Sequence, residues 1–179
     1  MKRSLACLAA LLPALWLTGC GTGSTGPVRA GGPASGLRDP VTETGYAHLY
    51  FVGPGGLQSV TRKVTGQVTP QRALDLLFKG PDTAELARGL RTEVPPYHRP
   101  VIAEAAEGAV DVRLPVAVAD TNSGGDNGYS QIICTAANAH LPGGRQPPNV
   151  NVHVHEPGYQ ESWTVRCDAA GNVVPVLGH

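Results

Sequence analysis

His153-Val154-His155-Glu156 is the stretch of this chain best equipped for chemistry. Side chains alternate along an extended strand, so both imidazoles project from one face with Glu156 adjacent. A His-x-His pair of this kind can begin a zinc or copper site, with the remaining ligands supplied from elsewhere in the fold. The same spacing has a plainer meaning. Asn149, Asn151, His153 and His155 alternate with Val150, Val152 and Val154, which is the pattern of a strand with one wet and one buried face. That pattern accounts for the histidines without a metal. Metal binding through His153, His155 and Glu156 therefore stands as the second reading, and no cofactor is expected.

Other constellations are incomplete. In "DTNSGGDNGYSQ", Asp120, Asn122 and Gly125 fall at positions one, three and six of a calcium loop. Position five lacks a carboxylate and Gln131 replaces the bidentate acid at position twelve, so a Gly/Asn/Asp turn ahead of a helix is expected. No Gly-x-Ser-x-Gly elbow and no phosphate-binding glycine motif occurs, and Glu104 and Glu107 flank an expected hairpin turn. No catalytic residue is assigned, and the chain is read as a non-enzyme. Lys plus Arg balance Asp plus Glu at a formal net charge of zero, which leaves no electrostatic footprint for nucleic acid.

The cysteines divide by position. "MKRS", then "LACLAALLPALWL", then "TGC" gives a positive segment, a short apolar run and small residues at a cleavage site. Leu17-Thr18-Gly19-Cys20 resembles a bacterial lipobox, in which the cysteine sulfur takes a diacylglycerol and becomes the new N-terminus. Residues 1–19 are thus read as a lipoprotein signal peptide and Cys20 as the lipidation site. Residues 20–38 are read as the lipidated cysteine and a Gly/Ser/Pro tether that spans about 20–25 Å. The expected location is the outer face of the bacterial cytoplasmic membrane, with the membrane engaged through Cys20. Cys134 and Cys167 remain, and an even pair outside the cytoplasm reads as a disulfide.

Residues 39–179 have the length of one domain with a core of its own. "YAHLYFV" and "LQSVTRKV" around "GPGG" read as a β-hairpin. "TPQRALDLLFKGP" is a helix with Thr69 as N-cap, Pro70 at its first position and Leu74, Leu77 and Phe78 as its apolar stripe. Asp82 and Glu85 have capping-box spacing for a short second helix. "PVIAEAAEG" and "AVDVRLPVAVA" read as a second hairpin. "YSQIICTAANAHL" reads as a helix burying Ile133, Cys134, Ala137 and Leu141. "NVNVHVH" and "SWTVRC" read as closing strands, where Trp163, Val165 and Cys167 share a face and Cys167 can reach the helix of Cys134. This order implies an α+β fold, a largely antiparallel sheet with two main helices packed on one side.

Several of these stretches, in order, resemble the GerMN domain, which is named for a spore-germination protein and occurs in bacterial surface lipoproteins. "LYFV", the helix end Leu76-Leu77-x-x-Gly80-Pro81, "GLRTEVP", "VDVRLP" and "SQIICTA" carry the likeness. It covers roughly residues 46–138. Beyond it the family closes with a short strand and an Asp-Gly turn, whereas this chain has a Pro-rich loop and a longer hairpin, and Cys134 stands where an aromatic is common. Residues 39–179 are accordingly read as one GerMN-like domain with an elaborated C-terminal hairpin. The resemblance implies a non-enzymatic envelope domain, one that binds or scaffolds envelope proteins or cell-wall glycan.

Overall fold

The computed structural model describes residues 44–118 and 125–176. The signal, Cys20 and tether assignments lie outside the described residues, as do Asp120 and Asn122.

The chain opens with an antiparallel hairpin of β1 (Thr44–Gly53) and β2 (Gly56–Thr65), closed through Pro54 and Gly55. Gly56 turns there with φ of 107°, a region nearly closed to other residues. Helix α1 (Pro70–Leu77) begins as its sequence demands, with the Thr69 side chain accepting from the Arg72 amide at 3.3 Å. Its buried stripe is Ala73, Leu74 and Leu77. Phe78, expected to join that stripe, is instead the C-cap residue and is 40% exposed. Helix α2 (Thr83–Ala87) carries the capping box in full, each partner of Asp82 and Glu85 holding the other's backbone N–H at 2.8 Å.

A five-stranded sheet follows, in the order β3 (Ile102–Ala106), β4 (Ala109–Arg113), β5 (Asn151–His155), β6 (Trp163–Cys167) and β7 (Val173–Pro175). All its pairings are antiparallel except β4 with β5, which run parallel. Parallel neighbours need a crossover, and α3 (Gly125–Ala137) supplies it. The fold is α+β, as the order of elements implied.

Helices α1 and α3 touch each other and between them touch both sheets. Leu49 and Phe51 of the hairpin, Leu74 and Leu77 of α1, Ile132 and Ile133 of α3, and Val110, Val112, Val152, Val154 and Val165 of the sheet close one core with essentially no exposure. At about 25 cal/mol per Å² of apolar surface removed from water, this burial is the main force holding the layers.

Helix α3 departs from its expected limits at both ends. It starts at Gly125, inside a run that composition marks as loop, because its first turns dock on the 91–94 segment. A Cβ on Gly128 would lie 2.4 Å from the Glu93 carbonyl oxygen, so only glycine permits that approach. Asn127 donates to the Glu93 carboxylate at 2.8 Å and the Gln131 carbonyl accepts from the Glu93 amide at 2.7 Å. At the other end the helix stops at Ala137, so Leu141 lies beyond it, although still buried at 1% exposure.

Side chains also finish the sheet edges. The Gln71 carboxamide accepts from the Ala103 amide at 2.8 Å and donates to the Val101 carbonyl at 3.3 Å, so α1 caps the start of the outer edge of β3. Gln71→Ala strips both contacts from partly buried backbone, and we expect a loss of about 1–2 kcal/mol. Urea unfolding of the variant beside wild type measures it.

Candidate functional site

The wet face of the five-stranded sheet holds the histidine pair. Val150, Val152 and Val154 are buried, and Asn151, His153 and His155 lie half-exposed on the opposite side, as alternation requires. Each polar group there is matched across strands. His153 Nδ1 lies 3.0 Å from Thr164 Oγ1, and His155 Nε2 lies 2.9 Å from Asp111 Oδ1. Arg166 donates to Asn151 at 2.7 Å and Arg113 donates to Glu104 at 2.7 Å. These exposed pairs add little stability individually. They do give the face a fixed pattern of alternating donors and acceptors.

Asp111 was absent from the sequence-derived candidates. It sits opposite His153 in the parallel β4–β5 register and reaches diagonally to His155. The signal that places it there is long-range register, which no local pattern contains.

Glu156 does not join the histidines, contrary to the ligand set His153, His155 and Glu156. It is one residue past the end of β5, on the helix-facing parity. Its carboxylate accepts from the Val118 amide at 3.0 Å and from the Trp163 indole N–H at 2.8 Å. Among the described residues no three His, Cys, Asp or Glu side chains are grouped as a metal site. Gln131, the residue at position twelve of the calcium-like loop, is fully buried and committed to backbone, donating to the Tyr50 carbonyl at 2.9 Å.

Trp163 shares its strand face with Val165 and Cys167, and it marks the rim of that face. Its ring stacks on Tyr129 of α3 with centroids 5.2 Å apart and remains 38% exposed. The Tyr129 hydroxyl is buried without a hydrogen-bond partner. Burial, with the nearby Glu156 charge, pushes its phenol well above the ordinary tyrosine range. Behind this rim the sulfurs of Cys134 and Cys167 are bonded, with Cα atoms 5.1 Å apart, tying α3 to β6. The expected pair is thus present.

Two hollows flank the helices. One, of about 350 Å³, is lined by Phe78, Pro95, Pro96, Tyr97, Arg99 and Pro100. Its walls are rings and aliphatic carbon, the chemistry of a binding groove more than of an acid–base site. The displaced Phe78 belongs to it. The other, of about 560 Å³, lies between β2 and α2 and is polar. Arg62, inside it, donates from Nε to Glu85 at 3.1 Å and from Nη2 to the second Glu85 carboxylate oxygen and to the Gly80 carbonyl at 2.8 Å, while its guanidinium lies 5.4 Å from the Phe51 ring centroid. Among the described residues no helix is long and apolar enough to cross a membrane. No protein-family model, curated protein or solved structure matches the chain.

Proposed function

We propose that the chain is a non-enzymatic lipoprotein of the bacterial cell envelope. It is anchored through Cys20 to the outer face of the cytoplasmic membrane. There a GerMN-like domain binds or scaffolds envelope proteins or cell-wall material. The observation that carries this reading is the division of the four cysteines. Cys7 lies in the apolar leader, Cys134 and Cys167 are joined, and Cys20 stands alone at the end of a lipobox-like segment. A structural disulfide fits an oxidising extracytoplasmic compartment. A further cysteine at a leader's end has a use there, as the attachment point for lipid. The surface is compatible with recognition by shape and hydrogen bonding, since its polar groups are paired in fixed positions and its hollows are open.

Substitution of Cys20 tests the anchor. Made as residues 20–179 behind a leader that is cleaved without lipidation, Cys20→Ser is expected to leave the membrane fraction with its thermal midpoint unchanged, because the described strands begin at Thr44. A Cys20→Ser protein that still sediments with membranes defeats the reading.

A further inference from the structure

The two sheets present four edges, and among the described residues three are blunted. The outer edge of β3 is capped at its start by Gln71. That of β7 is only three residues long and ends in Pro175. That of β1 is covered at Tyr50 and Val52. Val52 exchanges both backbone hydrogen bonds with Arg91, the Tyr50 amide donates to Thr135 Oγ1 at 3.0 Å, and the Tyr50 carbonyl accepts from Gln131. Folded proteins blunt edges in these ways because an exposed row of N–H and C=O groups is a template for another strand.

The edge of β2 is different. Val52 and Tyr50 turn their backbone groups away from β2, so their partners Leu57 and Ser59 must turn theirs away from β1. The alternation continues to Thr61 and Lys63. From Ser59 to Lys63 no described residue takes up these groups, no proline interrupts, and Ser59, Thr61 and Lys63 are exposed. The same run forms one wall of the polar hollow, and α2 forms the other through Asp82, Ala84, Glu85 and Arg88. The open strand edge thus runs beside a helix, with Arg62 bridging the two across the slot between them.

The charges of the slot select its occupant. Glu85 is neutralised by Arg62, and Asp82 is occupied with the capping box. Lys63 and Arg88 enter no ion pair among the described residues. The slot therefore offers backbone donors and acceptors along its length, with Lys63 and Arg88 outside any ion pair and a lining that carries one net positive charge.

We infer that the β2–α2 slot, from Ser59 to Lys63 and from Asp82 to Arg88, binds an extended acidic peptide that adds as a third strand to the β1–β2 sheet. Main-chain hydrogen bonds to Ser59, Thr61 and Lys63 supply affinity, and Lys63 and Arg88 select for carboxylates on the peptide. The inference rests on the envelope-binding reading for the source of the peptide, a segment of a neighbouring envelope protein.

The test uses residues 20–179, the mature chain of this reading, carrying Cys20→Ser and so neither leader nor lipid. The probe is a capped synthetic peptide alternating glutamate with threonine and valine. A saturable change at the amides of Ser59, Thr61 and Lys63 is expected by NMR, with their hydrogen exchange slowed at least tenfold. The same peptide N-methylated on every residue is expected to bind at least tenfold more weakly, because both edges of its backbone have lost their donors. Thr61→Pro removes an outward-facing N–H, at a position an edge strand tolerates, together with the exposed hydroxyl that lies 3.3 Å from His48 Nδ1, and it is expected to weaken binding by a similar factor. Lys63→Glu is expected to weaken the acidic peptide severalfold. No saturable change, equal binding of the N-methylated peptide, or protection of β2 through self-association without peptide each overturns the inference. The N-methyl comparison holds even if Thr61→Pro fails to fold. Loss of peptide binding alongside retained capture of an envelope partner in cells removes the slot and leaves the anchored binding role standing.

Discussion

Replacing both Cys134 and Cys167 by alanine is expected to lower the stability of the folded domain by about 3–4 kcal/mol. The bond closes a loop with a sequence separation of 33 residues. In the chain-entropy account, a loop of that length restricts the unfolded chain by this amount. The native cost is small by comparison. Both cysteines are completely buried in the single core, and two alanines leave only the volume of two sulfur atoms to close. For a domain of this size the loss corresponds to a fall in thermal midpoint of about 10–15 °C. Calorimetry of the double variant against the oxidised wild type measures it, and reduced wild type should melt close to the variant. The structural consequence is local. The bond ties α3 to β6, so hydrogen exchange should rise first in the C-terminal half of α3 and in β6 and β7, while β1 and β2 keep their protection.

The second large effect concerns Glu85. Its side chain is 5% exposed and that of Arg62 is 19% exposed, so the pair sits at the edge of the interior. Glu85→Ala removes the partner of a largely buried guanidinium and also half of the α2 capping box. Breaking a buried ion pair from one side costs about 3–5 kcal/mol. Arg62 keeps some contact with water, the Gly80 carbonyl and the Phe51 ring, so we expect about 2–4 kcal/mol. The pair also gives stability a pH dependence. Burial by itself would raise the Glu85 carboxyl. The hydrogen bond from Arg62, the Asp82 amide and the Arg62 charge outweigh it and hold the group below the ordinary glutamate range. The unfolded chain has the ordinary value of about 4.3. A group depressed on folding contributes in full above that value and loses its contribution as pH falls through the folded value. Wild type should therefore lose stability on acidification below about pH 4.5 more steeply than Glu85→Gln. Parallel slopes for the two proteins would show that the ion pair contributes nothing at neutral pH.

The parts of this fold that local chemistry determines were legible in the sequence. Thr69-Pro70 started α1 and Gly80-Pro81 ended its turn. Asp82 and Glu85 formed the capping box that their spacing required. The valines of β5 faced inward and its histidines outward, because a strand has period two. The cysteine pair followed from position and parity. What stayed hidden depends on partners distant in the chain. The parallel union of β4 with β5 is set by the α3 crossover, and it is this register that carries Asp111 to His155. The start of α3 in "GDNG" runs against helix propensity and is decided by docking on Glu93, where Gly128 and Gln131 are needed. Strand β7 is three residues long and pairs with β6 alone, too short to show a period. Glu156, beside the histidines in sequence, belongs to the other face and stabilises the Trp163 rim.

The candidate site divides in the same way. The wet face of β5 was visible, but its cross-strand pairing was not. Phe78 read as core by helical spacing, yet α1 ends one residue before it and the ring turns out to the groove of Pro95, Pro96 and Tyr97. The open edge of β2 was invisible, because it depends on where every other described segment of the fold lies.

The central claim is that an anchored, non-catalytic domain engages other components of the envelope. Photo-crosslinking in living cells tests it most directly, with the wild-type chain as bait and Cys20→Ser as control. The account predicts discrete adducts with an envelope protein or with cell-wall material that form with the anchored chain and are lost with Cys20→Ser. An anchored chain that yields no adduct, or identical adducts from both proteins, contradicts it.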